Sequence, residues 1–313
     1  MHAPSSTILA LLLTASAATA QTRTDPRRDI ADQAAPPRMP ATASAQATSA
    51  LQKPALEVLG RGSEFGEQAI LRRRAHVEPW SASLDALLAY TDNVALAPRG
   101  ERSDWYLRTG LNVAYTNRVR GPWFIDLALQ HYLFRYAEYG ALDFDQTRIE
   151  AGVLYQAAWL DDTFLFARYS YQRLCEPWLG SELFTSHSAI LGAQKVWKIS
   201  RGQQVFAGLS GDLSLSADPA SGARDEYSVV LGYSARLTQR LGAQLTYRLG
   251  LYDYREGGRE DWNHIAALGL TYDVTDWLRL SATTSFSRNT SSASFAEYDN
   301  FVGGIGLSLR AAF

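Results

Sequence analysis

Residue types that act as nucleophiles and general bases are few in this chain. It contains five histidines and one cysteine, and the only suggestive cluster is Ser186-His187-Ser188. On a strand, the two serines would point to one face and the histidine to the other, which is a poor geometry for proton transfer. A polar strand end explains the cluster more simply. We therefore predict no catalytic residue and no enzyme activity.

The spacing of candidate ligands also gives no support for a metal or cofactor. His131 and His264 are isolated, so neither has a second ligand at zinc-site spacing. The pairs Asp92-Asn93 and Asp161-Asp162 resemble calcium ligands, but turn formation accounts for both. The single Cys175 excludes an intrachain disulfide. We predict no metal and no cofactor, and a net charge of -2 gives no reason to expect nucleic acid as a partner.

The remaining chemically useful residues are charged side chains within segments of alternating polarity. In the last segment, one parity carries Phe301, Ile305, Leu307, Leu309 and Phe313, and the other carries mostly small or polar residues. Alternate side chains of a strand point to opposite faces, so this segment has one apolar and one polar face. In an outer-membrane barrel the apolar face contacts lipid and the polar face lines the lumen. Taken alone, the segment fits a strand of a soluble sandwich equally well.

Repetition of this pattern between Trp80 and Phe313 predicts a barrel. There are about twelve segments of about ten to fourteen residues, which suits tilted membrane strands. Short connections such as Asp161-Asp162 and Thr275-Asp276 alternate with longer polar ones such as 94–103 and 176–184. Short periplasmic turns and longer external loops are typical of outer-membrane proteins. The predicted fold class is all-β, a transmembrane antiparallel up-and-down β-barrel of about 12 strands.

Two different segments precede the predicted barrel. Residues 1–20 contain an apolar run from Ile8 to Leu13 followed by small residues, as in a cleavable export signal. Residues 21–79 are rich in Ala, Pro, Ser, Thr and Gln without periodicity, so they bury too little apolar surface to offset chain entropy. We predict a signal peptide at 1–20, a disordered periplasmic tail at 21–79 and an outer-membrane barrel at 80–313. No apolar run long enough for a membrane-spanning helix follows the signal.

The polar parity assigns a set of charged residues to the lumen. They are Asp85, Arg108, Asp126, Arg148, Glu150, Arg168, Asp212, Glu226, Arg236, Arg248, Asp273, Arg279 and Arg310. Their near-balanced charge predicts paired networks, whereas an anion-selective pore would need uncompensated arginine. In a barrel of eight strands, side chains can fill the interior, whereas sixteen strands leave a wide channel. A barrel of about twelve strands has an intermediate width. The sequence therefore predicts a narrow passage at most.

Aromatic residues also fall on the lumen parity. Examples are Tyr106, Phe124, Tyr132, Phe134 and Tyr252. Such rings can stack against sugars. They can equally fill the interior of a narrow barrel, and filling is the simpler interpretation.

Short motifs connect the predicted barrel to a known family. They are Tyr90-Thr-Asp-Asn-Val94, Tyr136-Ala-Glu-Tyr139, Leu142-Asp-Phe-Asp145, Asn289-Thr-Ser-Ser292, Tyr298-Asp-Asn300 and the terminal Phe313. With these motifs the region from Trp80 to Phe313 resembles a family of bacterial outer-membrane β-barrel porins, some of them encoded near exopolysaccharide genes. The resemblance implies a location in the cell outer membrane. Phe313 also resembles the signal by which such barrels reach their insertion machinery.

Three functions are compatible with this reading. The first is a monomeric, narrow channel or export component, with polysaccharide as one candidate solute. The second is a non-conducting structural or assembly barrel whose periplasmic tail binds a partner. The third, least consistent with the residues, is a barrel enzyme that acts on lipids. The expected partners are outer-membrane lipid, the barrel-insertion machinery and, depending on function, polysaccharide or a periplasmic export partner.

Overall fold

Twelve strands form one closed antiparallel barrel in a computed structural model that describes residues 25–34 and 78–313. The strands are β1 (Trp80–Thr91), β2 (Asp104–Arg120), β3 (Trp123–Tyr136), β4 (Phe144–Ala157), β5 (Thr163–Cys175), β6 (Glu182–Ser200), β7 (Gln203–Asp218), β8 (Arg224–Arg236), β9 (Leu241–Tyr254), β10 (Glu260–Asp273), β11 (Leu278–Ser291) and β12 (Tyr298–Ala312). Each strand pairs with its neighbours in sequence, and β1 pairs with β12. The predicted up-and-down barrel is confirmed.

The two ends of the barrel differ in the length of their connections. The end that carries Trp80 and Phe313 has short links, from 121–122 and 201–202 up to 158–162. The opposite end has longer links, among them 92–103 and 137–143. We call these the turn end and the loop end. In outer-membrane barrels the short turns face the periplasm and the longer loops face the exterior.

The outer face of the barrel is apolar, as the alternation predicted. Phe301, Ile305, Leu307, Leu309 and Phe313 are all exposed on it, with exposed fractions between 39% and 66%. A continuous apolar surface of this kind is unstable in water and suits a lipid environment. Within the described ranges, no helix is long and apolar enough to cross a membrane.

Aromatic side chains gather near both ends of the outer face. At the turn end the ring of Trp80 lies 4.7 Å from that of Tyr115 and stacks on Phe313, with centroids 6.5 Å apart. At the loop end Tyr90 and Trp105 are 5.5 Å apart. Aromatic rings with one apolar and one polar edge favour the boundary between lipid and water. The two rings of aromatics therefore mark the edges of the apolar belt.

The inner face is filled on one side and open on the other. Large aromatic residues of β2 to β6, such as Phe134, Phe144 and Phe164, are buried and fill that side of the lumen. The inner positions of β10 to β12 carry smaller residues, including Gly269, Thr283 and Ser285, and these line a cavity. Open space in the barrel therefore lies along the second half of the sheet.

Some lumen rings are packed over glycines of the adjacent strand. A Cβ atom at Gly110, Gly192 or Gly232 would lie 2.2 to 2.4 Å from the nearest side-chain atom of Tyr132 or Phe166, or 2.0 Å from Phe206. Any residue larger than glycine at these positions would therefore overlap the ring. These aromatic groups fill the barrel by lying flat against its wall.

A helix, α1 (Pro26–Ala34), lies inside the lumen. The prediction that residues 21–79 are disordered is therefore wrong for the nine residues of this helix. That prediction assumed that a segment must bury apolar surface to become ordered. In α1 the side chains of Arg28, Asp29 and Asp32 are instead paired with charges of the barrel wall. The predicted signal peptide and the rest of the predicted tail lie outside the described residues.

The packing of rings over glycines predicts a difference between two lumen glycines. Gly232→Ala should destabilise the barrel by about 1–3 kcal/mol, because the new methyl group overlaps the Phe206 ring. Gly269→Ala is the matched control, since nothing lies within 4 Å of its Cβ position. It should be neutral or slightly stabilising. Urea unfolding followed by gel mobility would measure both, and equal stability of the two variants would contradict the packing argument.

Candidate functional site in the lumen

The helix α1 begins at the loop end of the lumen. The side chains of Arg27 and Arg28 donate hydrogen bonds to the backbone carbonyls of Ala141 and Gly222, which belong to two separate loops. At the other end of the helix, Arg108 of β2 donates to the carbonyl of Ala34 at 2.7 Å. The helix therefore bridges several parts of the barrel wall.

Local sequence favours a helix at this position but does not stabilise one alone. The carboxylate of Asp25 accepts a hydrogen bond from the Arg27 backbone N–H at 2.9 Å, as a capping residue does. Pro26 is well suited to the first helical position, and Arg28 pairs with Asp32 one turn later at 3.7 Å. Isolated helices shorter than about 12 residues are marginal in water. Contacts with the barrel must therefore supply most of its stability.

Two carboxylates of α1 bind arginines of the barrel wall. Arg224 of β8 donates from Nη1 to Asp29 Oδ1 at 2.6 Å and from Nη2 to Asp32 Oδ2 at 3.0 Å. The second oxygen of Asp32 accepts from Arg148 Nη2 of β4 at 2.7 Å and from Gln172 Nε2 of β5 at 3.3 Å. The Asp32 carboxylate thus connects β8 to the neighbouring strands β4 and β5 on another side of the lumen.

Arg224 is held in place by its own surroundings on the wall. Its Nε donates to Glu226 at 2.7 Å and its Nη1 donates to the Tyr254 hydroxyl, also at 2.7 Å. Its guanidinium carbon lies 4.2 Å from the centre of the Tyr252 ring. The side chain is 1% exposed. A planar guanidinium fixed by stacking and by Glu226 loses little conformational freedom when it binds a carboxylate.

The rest of α1 contacts the opposite wall. Gln33 donates to the Tyr298 hydroxyl at 2.7 Å and accepts from Ser287 Oγ at 3.2 Å. Ala31 is fully buried in a cluster that includes Phe134 and Phe184. Arg28 also lies over the Phe184 ring of β6, 4.7 Å from its centroid. The helix is therefore in contact with β2, β4, β5, β6, β8, β11 and β12, and it closes much of the lumen at the loop end.

A cavity of about 1240 Å³ extends from α1 to the turn end. Ile30, Gln33 and Ala34 form its wall on the helix side, and the turn residues Arg201 and Arg240 lie at its other limit. Its charged lining residues are Asp85, Arg108, Lys198, Arg201, Arg236, Arg240, Arg248, Asp273 and Arg279. Basic residues outnumber acidic ones in this lining, so the cavity attracts anions.

Charge is distributed unevenly along the barrel axis. At the level of α1 the arginines are paired, as with Arg148 and Asp32. At the turn end no carboxylate of the described residues lies within ion-pair distance of Lys198, Arg236 or Arg240. The near-balance predicted for the whole lumen therefore does not describe the turn end, where basic charge is in excess.

The predicted lumen residues fall into three groups. Asp85, Arg236, Arg248, Asp273 and Arg279 line the large cavity, and Asp273 also binds Arg310 at 2.8 Å. Glu150, Arg168 and Asp212 line a second cavity of about 210 Å³ beside α1, and Asp126 binds Arg168 at 2.8 Å. Arg108, Arg148 and Glu226 contact α1 itself, Glu226 through Arg28 at 3.2 Å. The terminal Phe313 forms backbone hydrogen bonds with Trp80 at the closing seam.

Sequence reasoning missed the centre of the site. Arg224 is missing from the predicted lumen residues, although it shares the parity of Glu226 and begins β8. Asp29 and Asp32 were assigned to a disordered tail. The signals that could have indicated them are the Asp25-Pro26 helix start and the spacing of two carboxylates on one helix face.

The residues considered for catalysis are arranged as the sequence suggested. Ser186 and Ser188 are buried towards the lumen, whereas His187 contacts the Tyr169 hydroxyl at 2.5 Å on the exposed side. The serines and the imidazole are thus on opposite faces of β6. The Asp161 and Asp162 pair adopts left-handed backbone geometry, with φ of 49° and 58°, as a turn requires.

Comparisons with known proteins agree with this architecture. The profile of the family described as "Putative beta-barrel porin 2" matches residues 167–311. The family resemblance predicted from the sequence is confirmed. No curated protein matches the chain.

Solved structures with a similar fold are outer-membrane proteins. An outer membrane channel from Pseudomonas putida F1 aligns with 79% of this chain and 100% of its own, with a TM-score of 0.53 and 10% identity. The translocator domain of the autotransporter NalP from Neisseria meningitidis is less similar, with 86% and 98% coverage, a TM-score of 0.42 and 15% identity. At 10% identity the likeness to the Pseudomonas putida channel shows the fold alone: a porin-like outer-membrane barrel.

The ion pairs of Arg224 predict how firmly α1 is held. Arg224→Gln should weaken docking of the helix by about 3–5 kcal/mol, because Asp29 and Asp32 lose the buried guanidinium that they share. Trypsin should then cleave after Arg27 and Arg28, which are largely shielded in the native protein. Mass spectrometry of the digest would identify the new ends.

The control for this experiment is Arg255→Gln. Arg255 follows β9, is about half exposed, and pairs with Asp225 of β8 instead of with a carboxylate of α1. It should leave the digest unchanged. The comparison uses only Arg224→Gln protein that keeps the gel mobility of the native barrel. If trypsin cleaves its helix no faster than that of the control, Arg224 is not what retains α1.

Proposed function

We propose that this protein is a narrow channel of the outer membrane that is closed at its external end by its own N-terminal helix. The observation that carries the proposal is the 1240 Å³ cavity that runs from α1 to the turn end. With the short turns in the periplasm, the cavity faces the periplasm and the helix lies towards the exterior. The wall of the cavity is formed by β1, β2 and β6 to β12, so it follows the axis of the barrel.

The lining of the cavity favours anionic solutes. Lys198, Arg236 and Arg240 project basic charge at the turn end, and small polar residues such as Thr283 and Ser285 line the path beyond them. Arginine and lysine at a constriction select for anions. We propose that acidic oligosaccharides or other anionic solutes are the cargo, and that the path is too narrow for a general porin.

A non-conducting assembly barrel is the second candidate. Its support is the closure of the lumen by α1, which contacts seven strands. A lipid-modifying enzyme has less support, because the serines and the histidine of β6 lie on opposite faces. Conductance separates the first two candidates.

Removal of the helix should open the channel. In planar bilayers the intact protein should show little conductance, and a variant lacking residues 26–34 should conduct strongly, because the helix blocks the loop end. Deletion of residues 44–52, of equal length, is the matched control and should behave like the intact protein. A helix-deleted barrel that reconstitutes but does not conduct would favour the assembly function.

The open channel should prefer anions. In the variant lacking residues 26–34, replacing Lys198, Arg236 and Arg240 by glutamine should lower the ratio of chloride to potassium permeability, since the basic charge at the turn end is lost. Arg288→Gln is the control, because Arg288 is exposed near the loop end and pairs with Asp299. Reversal potentials in a salt gradient give the ratio. An unchanged ratio in the triple variant would exclude these residues as the selectivity element.

A further inference from the structure

We infer that Arg148 and Arg224 form a binding site for a carboxylate-bearing ligand, and that Asp29 and Asp32 of α1 occupy this site as an internal competitor. The inference rests on the proposed channel, whose solute it narrows to polycarboxylates. Binding of such a ligand releases the helix, so that the solute itself opens the path.

The site is built entirely from the barrel wall. Arg148 of β4, Gln172 of β5 and Arg224 of β8 donate to the two oxygens of Asp32 at 2.7, 3.3 and 3.0 Å. Arginine donors in a fixed fork match the geometry of a carboxylate. Any carboxylate at the position of Asp32 would receive the same three donors.

The site is also held in position without help from the helix. Glu226, Tyr252 and Tyr254 fix Arg224 from the wall side, through its Nε, its ring stack and its Nη1. Its Nη2 and the second N–H of Nη1 donate towards the lumen, where they bind Asp32 and Asp29. A receptor whose side chains are already ordered loses little entropy on binding.

The helix is well suited to be displaced. Its apolar contacts come from Ile30, Ala31 and Ala34 only, and a buried ion pair contributes little net free energy once desolvation is counted. The 45 residues between Ala34 and Trp80 span at most about 150 Å when extended, so the connection does not confine the helix to the lumen. A ligand with several carboxylates can therefore compete with it.

Two features indicate a ligand with more than one carboxylate. Asp29 and Asp32 lie on the same face of the helix, with Cβ atoms about 5–6 Å apart, and both bind Arg224. The 210 Å³ cavity beside them is also lined by Arg168 and Arg248 of the wall, next to the carboxylates Glu150, Asp212 and Glu226. Acidic oligosaccharides and small tricarboxylates share this chemistry. A neutral sugar would supply no carboxylate to replace the one that Asp32 offers to Arg148 and to Nη2 of Arg224.

The test measures binding and helix release in the full-length protein in detergent. The probes are an alginate trisaccharide, citrate and the neutral maltotriose. The two acidic probes should increase trypsin cleavage after Arg28, and maltotriose should not. Release by the trisaccharide alone would identify an acidic polysaccharide as the ligand, and release by citrate at equal concentration would identify a small polycarboxylate.

Substitutions on the two sides of the contact should have opposite effects. The double variant Asp29→Asn and Asp32→Asn should bind the acidic probe about tenfold more tightly or better in calorimetry, because the competing carboxylates are gone. Asp25→Asn is the matched control, since among the described residues the Asp25 carboxylate bonds only to Arg27. Arg148→Gln should abolish the gain, and Arg148→Lys should retain part of it.

The outcomes separate this inference from the channel itself. If the Asp29/Asp32 variant binds no more tightly than Asp25→Asn, or if maltotriose binds equally well, the carboxylate site is refuted even where deletion of residues 26–34 gives conductance. If the probe binds as expected but that deletion does not conduct, the site exists and the channel function is refuted.

Discussion

The structure depends on one constraint, which is that backbone N–H and C=O groups find no water to bind in the hydrocarbon region of a membrane. A closed ladder satisfies them all, and here the ladder closes where β1 meets β12, with Trp80 and Phe313 exchanging two backbone hydrogen bonds. Closure leaves each strand with a lipid face and a lumen face. Charged groups at the middle of the strands, such as Glu150 and Arg248, are thereby placed in the lumen, a space of limited width.

Charges concentrated in a narrow interior must be paired or solvated. On the side of β2 to β6 aromatic rings fill the space and the Asp126–Arg168 pair is buried. At the loop end the wall arginines Arg148 and Arg224 obtain carboxylates from α1. At the turn end Lys198, Arg236 and Arg240 face the cavity and stay solvated. The helix thus completes an electrostatic arrangement that the wall begins.

The barrel could be predicted from the sequence because its pattern has a period of two residues and repeats in every strand. The exposed Ile305 and Leu307 and the buried Phe134 follow directly from parity. The helix could not be predicted in the same way, because Asp29 and Asp32 are stabilised by arginines more than a hundred residues away. No local period records such a pairing. The open side of the lumen was readable in principle from the small inward residues of β10 to β12.

The direction of α1 has a consequence for the order of assembly. Its first residues lie among the loops and its last residue points towards the middle of the barrel, while the chain must still reach Trp80 at the turn end. A segment that enters a finished cylinder from the turn end arrives with its amino-terminus leading, which is the observed polarity. This polarity is compatible with a wall that forms first and receives the helix afterwards, in which case the barrel could insert into the membrane before its lumen is closed.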